Sequence, residues 1–225
     1  MEEMEAAIAE LKTAIASGDV ERMREAGVVA KAKAKVYNSS VSAEKARRAS
    51  WAAQEDVDGD DSAIGDMVRA DEAEMAALEE LGGASDAVVS HVDESLKRMD
   101  SIDEAGFAAL AEVDEATNPA GYSAAQANIE GQKKAVVAEL QGDWSSGLEE
   151  RLEAAQKEAA TASKLSAKAR QRSQDAVTKE RSAGAGSGGA GGAMGGAQQG
   201  ELLRALAGLL GGDGEGAGGN AFLIQ

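Results

Sequence analysis

The sequence predicts an all-α fold: an elongated antiparallel helical bundle or coiled-coil hairpin, followed by a disordered Gly-rich C-terminal tail. Three observations carry that prediction. Only one proline, Pro119, occurs in 225 residues, so almost nothing before Ser182 forbids a helix. Alanine recurs throughout, and Phe, Trp and Tyr together make up 3% of the chain, which suits narrow stripes along long helices rather than a large aromatic core. Apolar residues also recur at spacings of three and four through successive segments. The expected organisation is a helical bundle over 1–182, a Gly/Ala/Ser flexible linker over 183–200, and a short apolar helix with a flexible tail over 201–225.

The first helix is expected from Glu2 to Ser17, because Met4, Ile8, Leu11 and Ile15 share one face. Ser17-Gly18-Asp19 breaks it, with Asp19 placed to cap the next helix. The second helix, Val20 to Gln54, carries the seam Val20, Met23, Gly27, Ala30, Ala34, Tyr37 and Val41. Its small central residues suit close approach of another helix. Lys31, Lys33, Lys35, Lys45, Arg47 and Arg48 crowd its outer part, and Trp51 is expected to anchor its end.

Asp56-Val57-Asp58-Gly59-Asp60-Asp61 resembles the start of a calcium loop. Asp61 stands where that loop needs Gly, however, and Met67 where it needs Glu. A solvated acidic turn is expected and calcium is not. A third helix, Ser62 to Leu81, carries Ile64, Val68, Met75 and Leu78, and Gly82-Gly83 is expected to end it. Ser85 would then cap a fourth helix, Asp86 to Ala116, with Val89, Val92, Leu96, Met99, Leu110 and Val113 on its stripe and Phe107 beside them. Gly106 is expected to weaken or bend it.

Thr117-Asn118-Pro119-Ala120-Gly121 predicts a turn, since a residue before proline avoids the helical region and proline suits the first turn of the next helix. Tyr122, Gln126, Ile129, Val136, Leu140 and Trp144 then continue the spacing through Leu148, Leu152 and Ala155. Gly142 and Gly147 mark 141–147 as a bend. From Leu148 to Arg181 only a weak seam is expected, formed by Ala159, Ala162, Leu165, Ala169 and Val177. Beyond the linker, Leu202, Leu203, Leu206, Leu209 and Leu210 form a short apolar helix, and Phe222, Leu223 and Ile224 an apolar tip. Two apolar patches on flexible tethers are expected to dock on a partner, the alternative being a terminal helix that folds back on the bundle.

The net charge of −17 is unevenly spread. Segment 1–51 holds 9 basic and 8 acidic residues, segment 52–150 holds 5 and 25, and segment 151–182 holds 8 and 4. An acidic centre repels nucleic acid and anionic lipid, so no nucleic-acid partner is expected. The basic 151–182 segment suits apposition to that centre, in the same chain or a neighbour, or else a solvated face. No stretch approaches the roughly 20 apolar residues of a transmembrane segment. Cysteine is absent, which excludes disulfides and thiolate metal sites. Met1-Glu2-Glu3-Met4-Glu5 is acidic where a Sec signal peptide is basic, so the expected location is the cytoplasm, or the exterior by a route without such a signal.

No catalytic, cofactor or metal site is expected. The single histidine, His91, leaves no Glu-x-x-His pair for a di-iron bundle. The glycine run at 184–196 lacks the Lys-Ser/Thr of a phosphate-binding loop.

Alanine-rich helical hairpins with Gly/Ala tails resemble actinobacterial, chiefly mycobacterial, proteins associated with type VII secretion, of the WXG and Esp types. Trp144 with Gly147 behind it is similar to their Trp-x-Gly turn, although Ser146 holds the glycine place. The Tyr and acid of their export signal have no counterpart, since Val41 follows Tyr37 and Gln126 follows Tyr122 at that spacing. Asn118-Pro119-Ala120-Gly121 with Gln132-Lys133-Lys134-Ala135-Val136-Val137 resembles an uncharacterised mycobacterial helical family with a Pro-Ala-Gly turn and paired valines. The resemblance implies a non-enzymatic interaction protein, associated with type VII secretion or the cell envelope, that pairs with itself or a protein partner. The alternative expectation is a structural or assembly scaffold, for example of phage origin.

Overall fold

The computed structural model describes residues 1–54, 63–113 and 115–185, without the side chains of 51–54 and 180–185. The acidic turn expected at 56–61, the Trp51 anchor, most of the linker and the apolar segments Leu202–Leu210 and Phe222–Ile224 lie outside that description. Among the described residues the chain is all-helical: α1 (Glu2–Ser17), α2 (Val20–Gln54), α3 (Ala63–Ala111), α4 (Pro119–Asp143), a π-turn (Trp144–Leu148) and α5 (Glu149–Ala185). The chain divides into two compact units, Met1–Gln174 and Asp175–Gln225. The described part of the second, 175–185, is the last stretch of α5, which runs past position 182.

The first two helices have local causes at both ends. Gly18 closes α1 in the left-handed region at φ 70°, and its N–H donates to the Ile15 carbonyl, a conformation that only glycine enters cheaply. The Asp19 carboxylate accepts from the Arg22 N–H at 3.1 Å, an N-cap for α2. Pro119 opens α4, and the Asn118 side chain accepts from the Gly121 N–H at 2.9 Å.

Two expectations about α3 are overturned. Gly82-Gly83 does not end a helix; α3 runs unbroken from Ala63 to Ala111, stopping short of Ala116. Leu81, Val88, Val89 and Val92 are all buried on one line across the glycines, and a break would misalign them. Gly82 instead admits α2: a Cβ there would stand 1.9 Å from the Asn38 Oδ1 and 3.4 Å from the Tyr37 ring. Ser85 caps nothing. Its buried hydroxyl donates to the Leu81 carbonyl at 2.9 Å, one turn back. α3 continues through Gly106, which marks contact with α4, since a Cβ there would meet the Ile129 Cδ1 at 2.6 Å and Cγ1 at 2.7 Å. The bend expected at 141–147 is a π-turn within a continuing right-handed helix, flanked by Asp143 and Glu149 in αR geometry.

Ion pairs fix how the helices pair. Along α2 and α3, Arg24 meets Asp100, Lys31 meets Asp93 and Lys45 meets Glu79, so the two run antiparallel. Along α3 and α4, Arg98 meets Glu139 and Lys133 meets Asp103, again antiparallel. α1 returns along α2 through Arg22–Glu10 and Lys33–Glu3. With 16 residues against 35, α1 lines only the first half of α2. In that half the core is apolar: Met4, Leu11, Ile15, Met23, Val92, Met99 and Leu140 are almost fully buried. Each such side chain contributes about 1.5–3 kcal/mol.

The paired glycines give a sharp test. Gly83 has open space where a Cβ would go, so Gly83→Ala should stabilise the protein by up to about 1 kcal/mol through helix propensity. Gly82→Ala displaces Asn38 and breaks its 2.6 Å bond to Asp86, so it should lose that gain or destabilise by about 1 kcal/mol. Urea unfolding of the two variants measures the difference.

Candidate functional site: a buried charge cluster and exposed apolar faces

The expected seam of α2 takes two forms. Met23, Ala30, Ala34, Tyr37 and Val41 are buried and Val20 is half-buried, as Trp144 is buried on the π-turn. The Tyr37 hydroxyl donates to the Leu78 carbonyl at 3.2 Å, and burial, with the nearby Glu5 charge, pushes its pKa up to about 12. Past Val41 the seam positions become Glu44 and Arg48, both half-buried. On α3 the corresponding inward positions are Met67, Asp71 and Glu74, all buried, while Ile64 and Val68 are only half-buried. On α5, Leu152, Ala155 and Ala159 give way to Ser166 and Ser173, both buried. Leu165, expected on that seam, is 59% exposed. Phe107, placed beside the α3 stripe, is 74% exposed.

These inward charges form one cluster. Arg48 donates to Glu74 at 2.7 Å and to Glu44 at 2.6 Å, and stands 3.7 Å from Asp71. Arg170 donates to Asp71 at 3.0 Å and to Glu74 at 3.3 Å. The Ser166 hydroxyl donates to the same Asp71 oxygen at 2.5 Å. Arg47 adds a bidentate pair with Glu44 at 2.7 Å. Two carboxylates from α3 are thus shared by one arginine from α2 and one from α5. The basic character of 151–182 meets the acidic centre at this point through Arg170, whereas Lys157, Lys164 and Lys168 are exposed.

The electrostatics follow from the partners. Hydrogen bonding from Arg47 holds the Glu44 carboxyl at about 2, aided by Arg48 and opposed by burial. Burial pushes Glu74 up, but hydrogen bonds from Arg48, Ser163 and Ser166 outweigh it, so Glu74 lies below the ordinary carboxylate range. Every carboxylate in the cluster has a cationic partner, so none is presented as a base for a substrate. His91 Nε2 sits 3.0 Å from the Asp143 Oδ2, both residues half-buried. Among the described residues no group of His, Cys, Asp and Glu could hold a metal ion, and no helix is long and apolar enough to cross a membrane.

Sequence periodicity carried a signal for this cluster. Glu44 and Arg48 continue the three/four spacing of α2 after Val41, and Asp71 and Glu74 hold that spacing on α3. Charged residues in an otherwise apolar register are the mark, and reading only apolar residues passes over them. No protein-family model, curated protein or solved structure matches the chain.

Cutting one partner from a buried ion pair costs about 3–5 kcal/mol, because the other charge is left uncompensated. Arg48→Met should therefore destabilise strongly, by a sizeable part of that range. Glu44 is depressed in the folded state, so its stabilisation is present above about pH 4.5 and is lost as pH falls toward about 2. Thermal melts from pH 5 to 2 should show a shallower acid loss for Glu44→Gln than for the unaltered chain.

Proposed function

We propose that this chain is a non-enzymatic helical interaction protein whose helices close into an antiparallel bundle. In this reading the bundle is a rigid platform that binds protein partners, through exposed helix faces and through the leucine-rich segment Leu202–Leu210 with Phe222–Ile224. The observation that carries the reading is the contrast between the two kinds of surface. The charged groups of the core are saturated with one another, while Val28, Val29, Val36 and Leu165 stand in solvent on helix faces. An enzyme leaves an acid, base or nucleophile facing its substrate; an interaction module leaves apolar side chains facing its partner.

The antiparallel ion-pair ladders support the bundle, and the five leucines of 202–210 at helical spacing suit helix-in-groove binding. The likeness to type VII secretion-associated hairpins makes that pathway, or the cell envelope, the proposed setting.

Pull-downs from the native host should recover partners with the full chain that a chain ending at Ser182 fails to recover, and Leu206→Asp with Leu209→Asp should reproduce the loss. Identical partner sets with and without the tail would refute a docking role for it. Culture filtrate compared with lysate, in cells with and without a working type VII system, tests the setting: the reading requires depletion from the filtrate when the system is removed.

A further inference from the structure

We propose that the outer face of α2 is a self-association surface that pairs with a second copy of this chain, antiparallel, about a two-fold axis near Ala32. This rests on the interaction reading above and names one partner and one surface for it. Val28, Val29 and Val36 are 70%, 50% and 62% exposed, although they lie within nine residues of a single helix whose opposite face is fully buried at Ala30 and Ala34. Ala32 and Ala43, both exposed, extend the stripe. Exposed valines clustered on one face mark a contact surface far more strongly than the same residues scattered singly.

Charge selects the occupant. The chain carries −17, and segment 52–150 holds most of the acidic excess, so α3 and α4 present like charge to a second copy. α2 itself holds eight basic and three acidic residues between 20 and 51. Arg22, Arg24, Lys31, Lys33 and Lys45, however, pair with acids of α1 and α3, and Arg47 and Arg48 with Glu44. Its outer face is left with little net charge, and two copies can meet there without that repulsion. The face is also polar in sense: Glu21 and Glu25 flank its first part and Lys35 its second, and neither Glu25 nor Lys35 has an ion-pair partner among the described residues. Antiparallel apposition about Ala32 sets Val28 of one copy against Val36 of the other and brings Glu25 opposite Ser39, about one turn from Lys35. A parallel arrangement would stack Glu25 on itself.

Shape agrees. A groove of about 380 Å³ lies beside Val36, lined by Lys35, Ser39, Ser40 and Ala43. A smaller one of about 230 Å³ lies beside Val29, between α1 and α2. The face from Glu21 to Ala43 is about 33 Å long and about 10 Å wide, well short of the ~800 Å² per partner of a standard stable interface. The dimer is therefore weak, with a Kd on the order of 10–100 μM, and forms where the protein is concentrated.

Sedimentation equilibrium of the full chain, from about 1 μM to about 1 mM, tests this. The expected result is a reversible monomer–dimer equilibrium. Val36→Asp should raise Kd at least tenfold, Lys35→Glu by about threefold or more, and Glu25→Lys combined with Lys35→Glu should recover much of the loss. Lys168→Asp, exposed on α5 and outside this face, should leave Kd unchanged. Far-ultraviolet circular dichroism of each variant, matching the unaltered chain, confirms that folding is intact. A chain that stays monomeric throughout, a dimer that Val36→Asp leaves intact, or a charge reversal that fails to restore association would overturn the proposal. A monomer that still captures partners through Leu202–Leu210 would sink the two-fold contact and leave the broader interaction reading standing.

Discussion

α3 is the element against which the others are placed. It pairs with α2 through Arg24–Asp100, Lys31–Asp93 and Lys45–Glu79, with α4 through Arg98–Glu139 and Lys133–Asp103, and with α5 through Asp71 and Arg170. All of these require a single helix axis from Ala63 to Ala111. That axis passes through two adjacent glycines, whose intrinsic preference is against helix by about 1 kcal/mol each. Burial of Leu81, Val88, Val89, Val92 and Met99 along the same line outweighs that penalty. The glycines then serve a different purpose at each position: Gly82 lets α2 approach, while Gly83 touches nothing.

Two chemistries hold the helices together, and they divide along α2. Where α1 lies alongside, the interior is methionine, leucine, isoleucine and valine. Beyond Val41, shared carboxylates and arginines lie among the buried Met67 and Met75. Apolar burial is non-directional, so a seam of alanines tolerates sliding by a turn. The cluster of Arg48, Asp71, Glu74, Ser166 and Arg170 does not, because a shift by one turn would strand a buried charge. The charged half fixes which turn of α5 meets which turn of α3, and the apolar half supplies most of the stabilisation.

The surfaces follow from the same distribution. Acidic residues concentrated between 52 and 150 keep much of the molecule like-charged toward its own copies. α2 escapes this, because its basic residues other than Lys35 are paired with acids of α1, α3 and its own Glu44, and it bears valines on the side that α1 and α3 leave uncovered. A face with low charge and exposed β-branched residues differs from the rest of the molecule in the two properties that govern association.

Much of the helical content was legible in the residues, because it is decided locally. Gly18 and Asp19 punctuate α1 and α2, and Asn118 with Pro119 starts α4, through backbone geometry and short hydrogen bonds within a few residues. The apolar stripe of α1 was equally readable, since Met4, Ile8, Leu11 and Ile15 have no other use for their shared face. Tertiary structure alone decided three matters. Whether Gly82-Gly83 breaks or continues a helix depends on what lies across from it, and α2 lies there. Whether Arg48, Asp71 and Glu74 point outward or inward depends on partners of opposite sign far away in the chain: the two carboxylates of α3 meet Arg48 from α2 and Arg170 from α5. Whether Leu165 or Ser166 turns inward on α5 was settled by the hydrogen bond that the serine donates to Asp71. Local sequence fixes where a helix can begin and end; the energy of burying a charge exists only once its counterpart has arrived.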